Sequence, residues 1–376
     1  MSATRSTVPT LAVLCDFPEE NWPSMDLMAE MLLAEAYKHH ASEITATRTV
    51  PKFRRVFGPW SHNADRLLNR TITYPRAARR IRDQYDLFHI CDHSYGQLVH
   101  SLPAERTGVF CHDLDTFGCV LEPHLHPRPR WFRAIVRRTL SGLQKAAVVF
   151  HTTAEIRRQI LGFGLVDETR LINAPGGVAP EFVAHPPQID ALPRNFFERT
   201  PREFVLHVGS CIPRKRIDIL LHAFARLRAR RPDLRLVKAG AEWSAADRAL
   251  IEALGLADAV VHLSTQPRSA IAELYRRARI VLMTSDAEGF GLPVVEALAC
   301  GAIVVASDIP TMREAGGDAA LYATPGNVDS FVANCEAALE DGNFAPSAEK
   351  RLAHAARFTW AEHARIIVQA YLRLAR

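Results

Sequence analysis

The sequence predicts an α/β protein built on two doubly wound parallel sheets, and three observations point there. Short β-type runs alternate with longer helical patterns along nearly the whole chain, the signature of βαβ units. The alternation breaks once, at "GGVAPEFVAHPPQIDALPRNFFERTPREF", where Pro and polar residues cluster and no period survives. At 376 residues, the chain is also longer than one hydrophobic core usually serves.

The expected strands of the first half are Leu11–Leu14, Leu87–Ile90, Gly108–Cys111 and Ala147–Phe150. Those of the second half are Phe204–Val208, Leu234–Lys238, Ala259–Leu263, Ile280–Met283 and Ile303–Ala306. The boundary falls near Pro186–Pro201, giving domains over 1–195 and 202–358. After it, "IDILLHAFARLRARRP" places Ile219, Leu220, Ala223, Phe224 and Leu227 on one face, with Pro232 beyond its end: a helix packed on a sheet. The last element, "FTWAEHARIIVQAYLRLAR", opens with a Thr359/Glu362 capping box and is amphipathic, so its apolar side must cover something.

Composition excludes several classes. Seven Cys residues, odd in number, scattered and without a CxxC pair, fit neither a disulfide framework nor a zinc knuckle. The polar start and the short apolar run Leu11–Leu14 suit neither a signal peptide nor a membrane span, so the expectation is a cytoplasmic protein. Charge is uneven: residues 48–82 hold ten basic side chains (Arg48, Lys52, Arg54, Arg55, Arg66, Arg70, Arg76, Arg79, Arg80, Arg82) against Asp65 alone, and 128–145 hold no acid. Such stretches read as solvated helical faces or, with Phe53, Phe57, Trp60, Trp131 and Phe132 among them, as peripheral contact with an anionic membrane at the inner face. No recognition module accompanies the charge, which speaks against nucleic acid.

The stretch with most chemistry is "EGFGLPVVE", residues 288–296. A buried-strand pattern, "ARIVLMTSDA", precedes it; Pro293 suits the first turn of a helix and Gly301 the position past its end. Gly289 and Gly291 thus sit where a strand has ended and a helix begins, the place where α/β sheets bind ligands. Backbone N–H groups bared by glycine suit phosphate oxygens, and Glu288 and Glu296, on either side, suit hydroxyl donors. The alternative is plain helix chemistry, since an acid in a first helical turn is favoured by the dipole.

"SDAEGFGLPVVEALACGAIVVASDIPTMREAGGDAALYATPG" resembles the donor-binding region of the retaining glycosyltransferases of family 4, with their Glu, seven residues, Glu motif. "LHVGSCIPRKRIDILLHAF" is similar to the same family's glycine-and-lysine segment, and "NAPGGVAPEF" and "FCHDLDTF" follow it more loosely in the right order. The resemblance implies a GT-B architecture: two Rossmann-like domains facing across a cleft, the final helix 359–376 crossing back to the first. The first would bind a glycan or lipid-linked acceptor and the second a nucleotide-sugar, a hexose being transferred with retention and without metal or other cofactor. Carried over by residue, Glu288 would hold the donor sugar. Gly289, Phe290, Gly291 and Leu292 would line the sugar and diphosphate, and Glu296 would take the ribose hydroxyls. Lys215, helped by Arg214, would neutralise the diphosphate, and His112 would orient the donor sugar.

Departing phosphate gathers negative charge, so a fixed cation such as Lys215 is what this chemistry asks for in any case. Two departures from the family stand out: Ser210 where many members carry Arg, and "CDFPEENWPSMDLMAEM" where many carry a Gly-Gly loop. In that loop Asp16 and Asn21, with Glu19, Glu20 and Trp22, are candidate acceptor contacts; the alternative is an ordinary loop with Ser24 as N-cap. Asp92, His93 and Tyr95 lie at a further strand end. Two other classes remain: a non-catalytic sugar-nucleotide binder, and a dinucleotide-dependent oxidoreductase, for which "EGFGLP" lacks the third glycine.

Overall fold

The computed structural model describes residues 8–58, 61–186, 201–341 and 343–375. Most of the expected boundary near Pro186–Pro201, and Trp60, lie outside the described residues. The chain forms two compact units, residues 1–177 with 360–376, and residues 178–359.

The first unit holds a six-stranded, all-parallel sheet in the order β2-β1-β3-β4-β5-β6. Its strands are β1 (Thr10–Leu14), β2 (Thr45–Thr49), β3 (Leu87–Ile90), β4 (Thr107–Cys111), β5 (Val148–His151) and β6 (Leu171–Asn173). The centre reads as near-continuous Val, Leu, Ile and Phe because helices cover both faces of a parallel sheet. Strand order reverses between β1 and β3, so the loops after Leu14 and Ile90 open side by side.

The final helix, Trp360–Leu374, belongs to this unit, and its apolar stripe of Trp360, Ala364, Ile367, Val368 and Tyr371 is buried. Its polar groups are tied in as well. Tyr371 Oη donates to Phe88 O at 2.9 Å and accepts from His89 Nδ1 at 2.9 Å, while His363 Nδ1 bonds Pro175 O at 3.0 Å. Burial keeps His89 neutral, its pKa lowered to about 3. Tyr371→Phe would strand a buried carbonyl and a ring N–H, an expected loss of about 2 kcal/mol readable in urea melts; an unchanged midpoint would contradict this account of how the helix is fastened.

The second unit holds β7 (Phe204–Val208), β8 (Arg235–Ala239), β9 (Val260–Leu263), β10 (Ile280–Met283), β11 (Val304–Ser307) and β12 (Leu321–Ala323). They form a parallel sheet in the order β12-β11-β10-β7-β8-β9. Here the order reverses between β7 and β10, and the crevice beyond that reversal is the binding position of open α/β sheets. The helix Ile217–Arg230 buries Ile219, Leu220, Ala223, Phe224 and Leu227, the face read from the sequence.

Three strands, β2, β6 and β12, were not expected; all lie at sheet edges. β2 is "TATRT" with no buried residue, and the other two span three residues each, too few to carry a period. Ser24 is not an N-cap: the helix Pro23–His40 begins at Pro23, with Trp22 at the cap position and no side-chain cap. Pro is pre-shaped for a first turn and needs no N–H partner there. The basic stretch 48–82 is partly turned inward, for Arg70 donates through Nε to Glu20 Oε1 at 2.7 Å and Arg66 lies 3.5 Å from the same carboxylate. Buried Asn69 clamps the preceding loop, exchanging hydrogen bonds with Arg54 N at 2.9 Å and Arg54 O at 2.8 Å.

Candidate functional site in the second unit

The loops after β7 and β10 meet at the strand-order reversal. Lys215, closing the short 3-10 turn Pro213–Lys215, places Nζ 2.6 Å from Glu288 Oε1, and Ser285 donates to the same oxygen at 2.6 Å. Both ends of the ion pair are largely buried, Lys215 being 11% and Glu288 7% exposed along the side chain. Burial alone would raise the Glu288 pKa, but the Lys215 charge, the hydrogen bonds from Lys215 and Ser285, and the Arg214 charge together hold it below the ordinary carboxylate range. Glu288 is therefore a carboxylate at neutral pH.

Main-chain bonds lock the two loops together. Asp286 N donates to Arg214 O at 2.8 Å, and Thr284 Oγ1 to Lys215 O at 3.0 Å and Arg216 O at 3.1 Å. Arg216 adopts left-handed backbone with φ 49° and reaches Asp218 and Asp286. Arg214 extends Nη1 to Ala287 O at 3.4 Å.

The turn Glu288–Gly291 then leads into the helix Leu292–Ala299. Gly291 has φ 96°, which demands glycine, and a Cβ there would also crowd Ala315 Cβ at 3.2 Å. Phe290 is buried against Phe358, ring centroids 5.6 Å apart, which anchors the turn. Pro293 lies in the first helical turn as expected.

Glu296 is buried one turn into that helix and accepts from Tyr275 Oη at 3.3 Å. Burial raises its pKa to about 7. A buried acid with a folded pKa above its unfolded value near 4.5 costs nothing below pH 4.5 and its full penalty above about pH 7. Glu296→Gln is thus expected to stabilise the unliganded protein at pH 8 by about 3 kcal/mol and to leave it unchanged at pH 4. Equal melting shifts at the two pH values would argue against a buried titrating acid.

The remaining candidates lie in the first unit. Asp16 is buried at the strand-order reversal, and among the described residues neither carboxyl oxygen has a hydrogen-bond partner. Burial and the facing Asp92 push its pKa far up. Asn21 is exposed with φ 55°, and Trp22 beside it is exposed too. His112 is buried and neutral; its Nε2 is spent on Cys91 O at 2.7 Å, and its ring stacks on Phe110 at 4.6 Å. His93 lies between Asp92 (3.2 Å) and Asp113 (3.4 Å), and these carboxylates lift its pKa against the effect of burial.

Spacing did not reveal Thr284 or Tyr275 as site residues, because each acts on a partner that only the fold brings close; Ser285, three residues before Glu288, was within reach of the sequence but carries no pattern that marks it. Among the described residues no group of three or more His, Cys, Asp or Glu side chains is placed to hold a metal ion. No helix among them is long and apolar enough to cross a membrane.

Comparison with known proteins now bears on this geometry. Residues 188–357 match the family model of Glycosyl transferases group 1. The chain is 28% identical over 306 residues to the O-antigen chain mannosyltransferase B of Escherichia coli, covering 79% of this chain and 77% of that protein. It is 31% identical over 287 residues to the D-inositol 3-phosphate glycosyltransferase of Stackebrandtia nassauensis, covering 72% of this chain and 64% of the relative, so it spans less than two thirds of that protein's length. It spans only 35% of the serotype-specific mannosyltransferase WbdA of Escherichia coli. In fold it matches Anabaena Alr3699/HepE, solved with UDP and glucose, with a TM-score of 0.73 at 18% identity, covering 96% of this chain and 99% of that one. In fold the chain thus matches GT-B glycosyltransferase structures, and residues 188–357 match the model of Glycosyl transferases group 1.

Proposed function

We propose that the protein is a retaining glycosyltransferase that moves a hexose from a nucleoside-diphosphate sugar to a glycan or lipid-linked acceptor, without a metal. The observation that carries this reading is the buried Lys215–Glu288 pair at the strand-order reversal of the second sheet, beside a glycine turn that starts a helix. The backbone of the turn Gly289–Leu292, at the start of a helix, suits the diphosphate, and the Lys215 ammonium, assisted by Arg214, neutralises charge on the departing phosphate oxygen. Glu288, held ionised, accepts sugar hydroxyls, and Glu296 accepts from the ribose. In the first unit, His112 orients the donor sugar, and the loop of Asp16 and exposed Asn21 meets the acceptor.

The O-antigen chain mannosyltransferase relative supports a hexose, mannose among the candidates, and a place in polysaccharide synthesis. Exposed Val56, Phe57, Leu67, Ile72 and Trp131, lying among basic residues 48–82 and 128–145, support peripheral contact with an anionic inner membrane face. A thermal-shift panel of nucleoside diphosphates and their mannose, glucose and galactose esters tests the reading. One nucleotide series is expected to raise the melting temperature, a ligand at a hundred times its Kd adding about 2.7 kcal/mol. No shift with any member, and no transfer or hydrolysis, would refute it.

A further inference from the structure

Under the diphosphate turn lies a group that the reading above leaves unused. His207, on β7 and fully buried, has Nδ1 2.9 Å from Leu282 O on the neighbouring β10. A carbonyl can only accept, so Nδ1 carries the ring proton and Nε2 presents a bare lone pair. Among the described residues that lone pair has no partner, which in a native interior demands an explanation.

Its surroundings supply one. A Cβ placed on Gly209 would meet His207 Nε2 at 3.5 Å and Lys215 Cε at 3.8 Å, so the ring nitrogen and the lysine chain line the same space. Gly209 leaves that space open. The charged groups that His207 feels are Lys215, Lys238 and Glu288. Lys238 is spoken for, donating to Ala241 O and lying 5.0 Å over the Trp243 ring. Burial holds the His207 ring neutral, its pKa near 4, so it does not repel a lysine at physiological pH.

Lys215 has three N–H donors, of which Glu288 takes one in the unliganded protein. A donor whose diphosphate competes for the ammonium, and whose sugar claims Glu288 for its hydroxyls, would draw Lys215 from its buried partner. We propose that His207 is a positioning residue for Lys215: its Nε2 lone pair accepts a hydrogen from the ammonium when donor binding draws Lys215 from Glu288, aiming the remaining N–H groups at the diphosphate. This rests on the proposed donor site. An uncharged acceptor suits the task, because a second carboxylate would cancel the charge that the phosphate needs.

Two substitutions in the full chain separate the two nitrogens. His207→Asn keeps an amide near Nδ1 for the contact with Leu282 O and loses the acceptor at Nε2, whereas His207→Gln reaches the Nε2 position and gives up the strand contact. Isothermal titration with UDP and GDP, with turnover on their sugars, reads the outcome. For the nucleotide that the wild type binds, His207→Asn is expected to weaken Kd and to lower kcat/KM by about tenfold or more at a near-native melting temperature. His207→Gln is expected to stay within about threefold of wild type in kcat/KM although it melts lower. Native binding in His207→Asn, or an equal loss in both variants, would overturn the assignment.

Should His207→Gln fail to fold, long-range 1H–15N spectra of the wild type decide. Adding the nucleoside diphosphate should move the Nε2 resonance upfield, as for a lone pair that gains a hydrogen bond, and an unmoved resonance overturns the proposal. Wild-type protein that binds no nucleoside diphosphate at all would instead sink the donor site itself, a different and distinguishable failure.

Discussion

Lys215→Ala is expected to lower turnover by about 10²–10³-fold, the usual loss when one preorganised charge at a developing anion is removed. It should also weaken binding of the nucleoside diphosphate, because in the proposed site the same ammonium meets the phosphates in the ground state. The substitution leaves Glu288 buried without its main counter-charge, so the Glu288 pKa, now held below the ordinary range, should rise. The protein can relieve the cost by protonating that carboxyl, and circular dichroism should show a folded chain. Native kcat and native nucleotide affinity in a folded Lys215→Ala variant would remove the ion pair from the mechanism.

Glu288→Gln is expected to separate binding from chemistry in the opposite sense. In the unliganded protein the diphosphate must compete with Glu288 for the Lys215 ammonium, at 2.6 Å. A neutral amide frees that ammonium. The nucleoside diphosphate alone should then bind several-fold more tightly, while turnover of the nucleotide-sugar falls by about 10²–10³-fold through loss of the charged hydroxyl acceptor. Calorimetry with the bare diphosphate and steady-state kinetics with its sugar measure the two halves. Weaker binding of the bare diphosphate would mean that Glu288 supports Lys215 rather than competing for it.

The pH profile adds an independent handle. Glu288 remains ionised below the usual glutamate range, so it does not shape activity near neutrality. Burial lifts the Glu296 pKa to about 7, and in its proposed role a carboxylate accepts ribose hydroxyls more strongly than the neutral acid, so donor affinity should decline as pH falls through that value. That acid limb should vanish in Glu296→Gln, the variant expected to be more stable at pH 8.

The candidate site was legible where its logic is local. Glu288, Gly291, Pro293 and Glu296 lie within one turn and one helix, and spacing along the chain places them correctly at a strand end and a helix start. The same holds for eight of the nine expected strands, whose buried Val, Leu, Ile and Phe runs report a sheet covered on both faces; the ninth, β9, is an edge strand found by its apolar composition. The edge strands β2, β6 and β12 escaped because an edge is partly solvated and short, and its residues need not be apolar.

Sequence by itself determined the α/β class, the glycine-and-proline geometry of the turn before Leu292 and the acids that flank it, since these are properties of neighbouring residues. Only the tertiary structure decided that Lys215 and Glu288 meet across 73 positions, that His207 hangs from Leu282 with one nitrogen unclaimed, and that the last helix closes the first unit. The physical reason is strand order: β7 lies beside β10 because that arrangement buries both central strands, and burial is summed over the whole sheet rather than written at any one position.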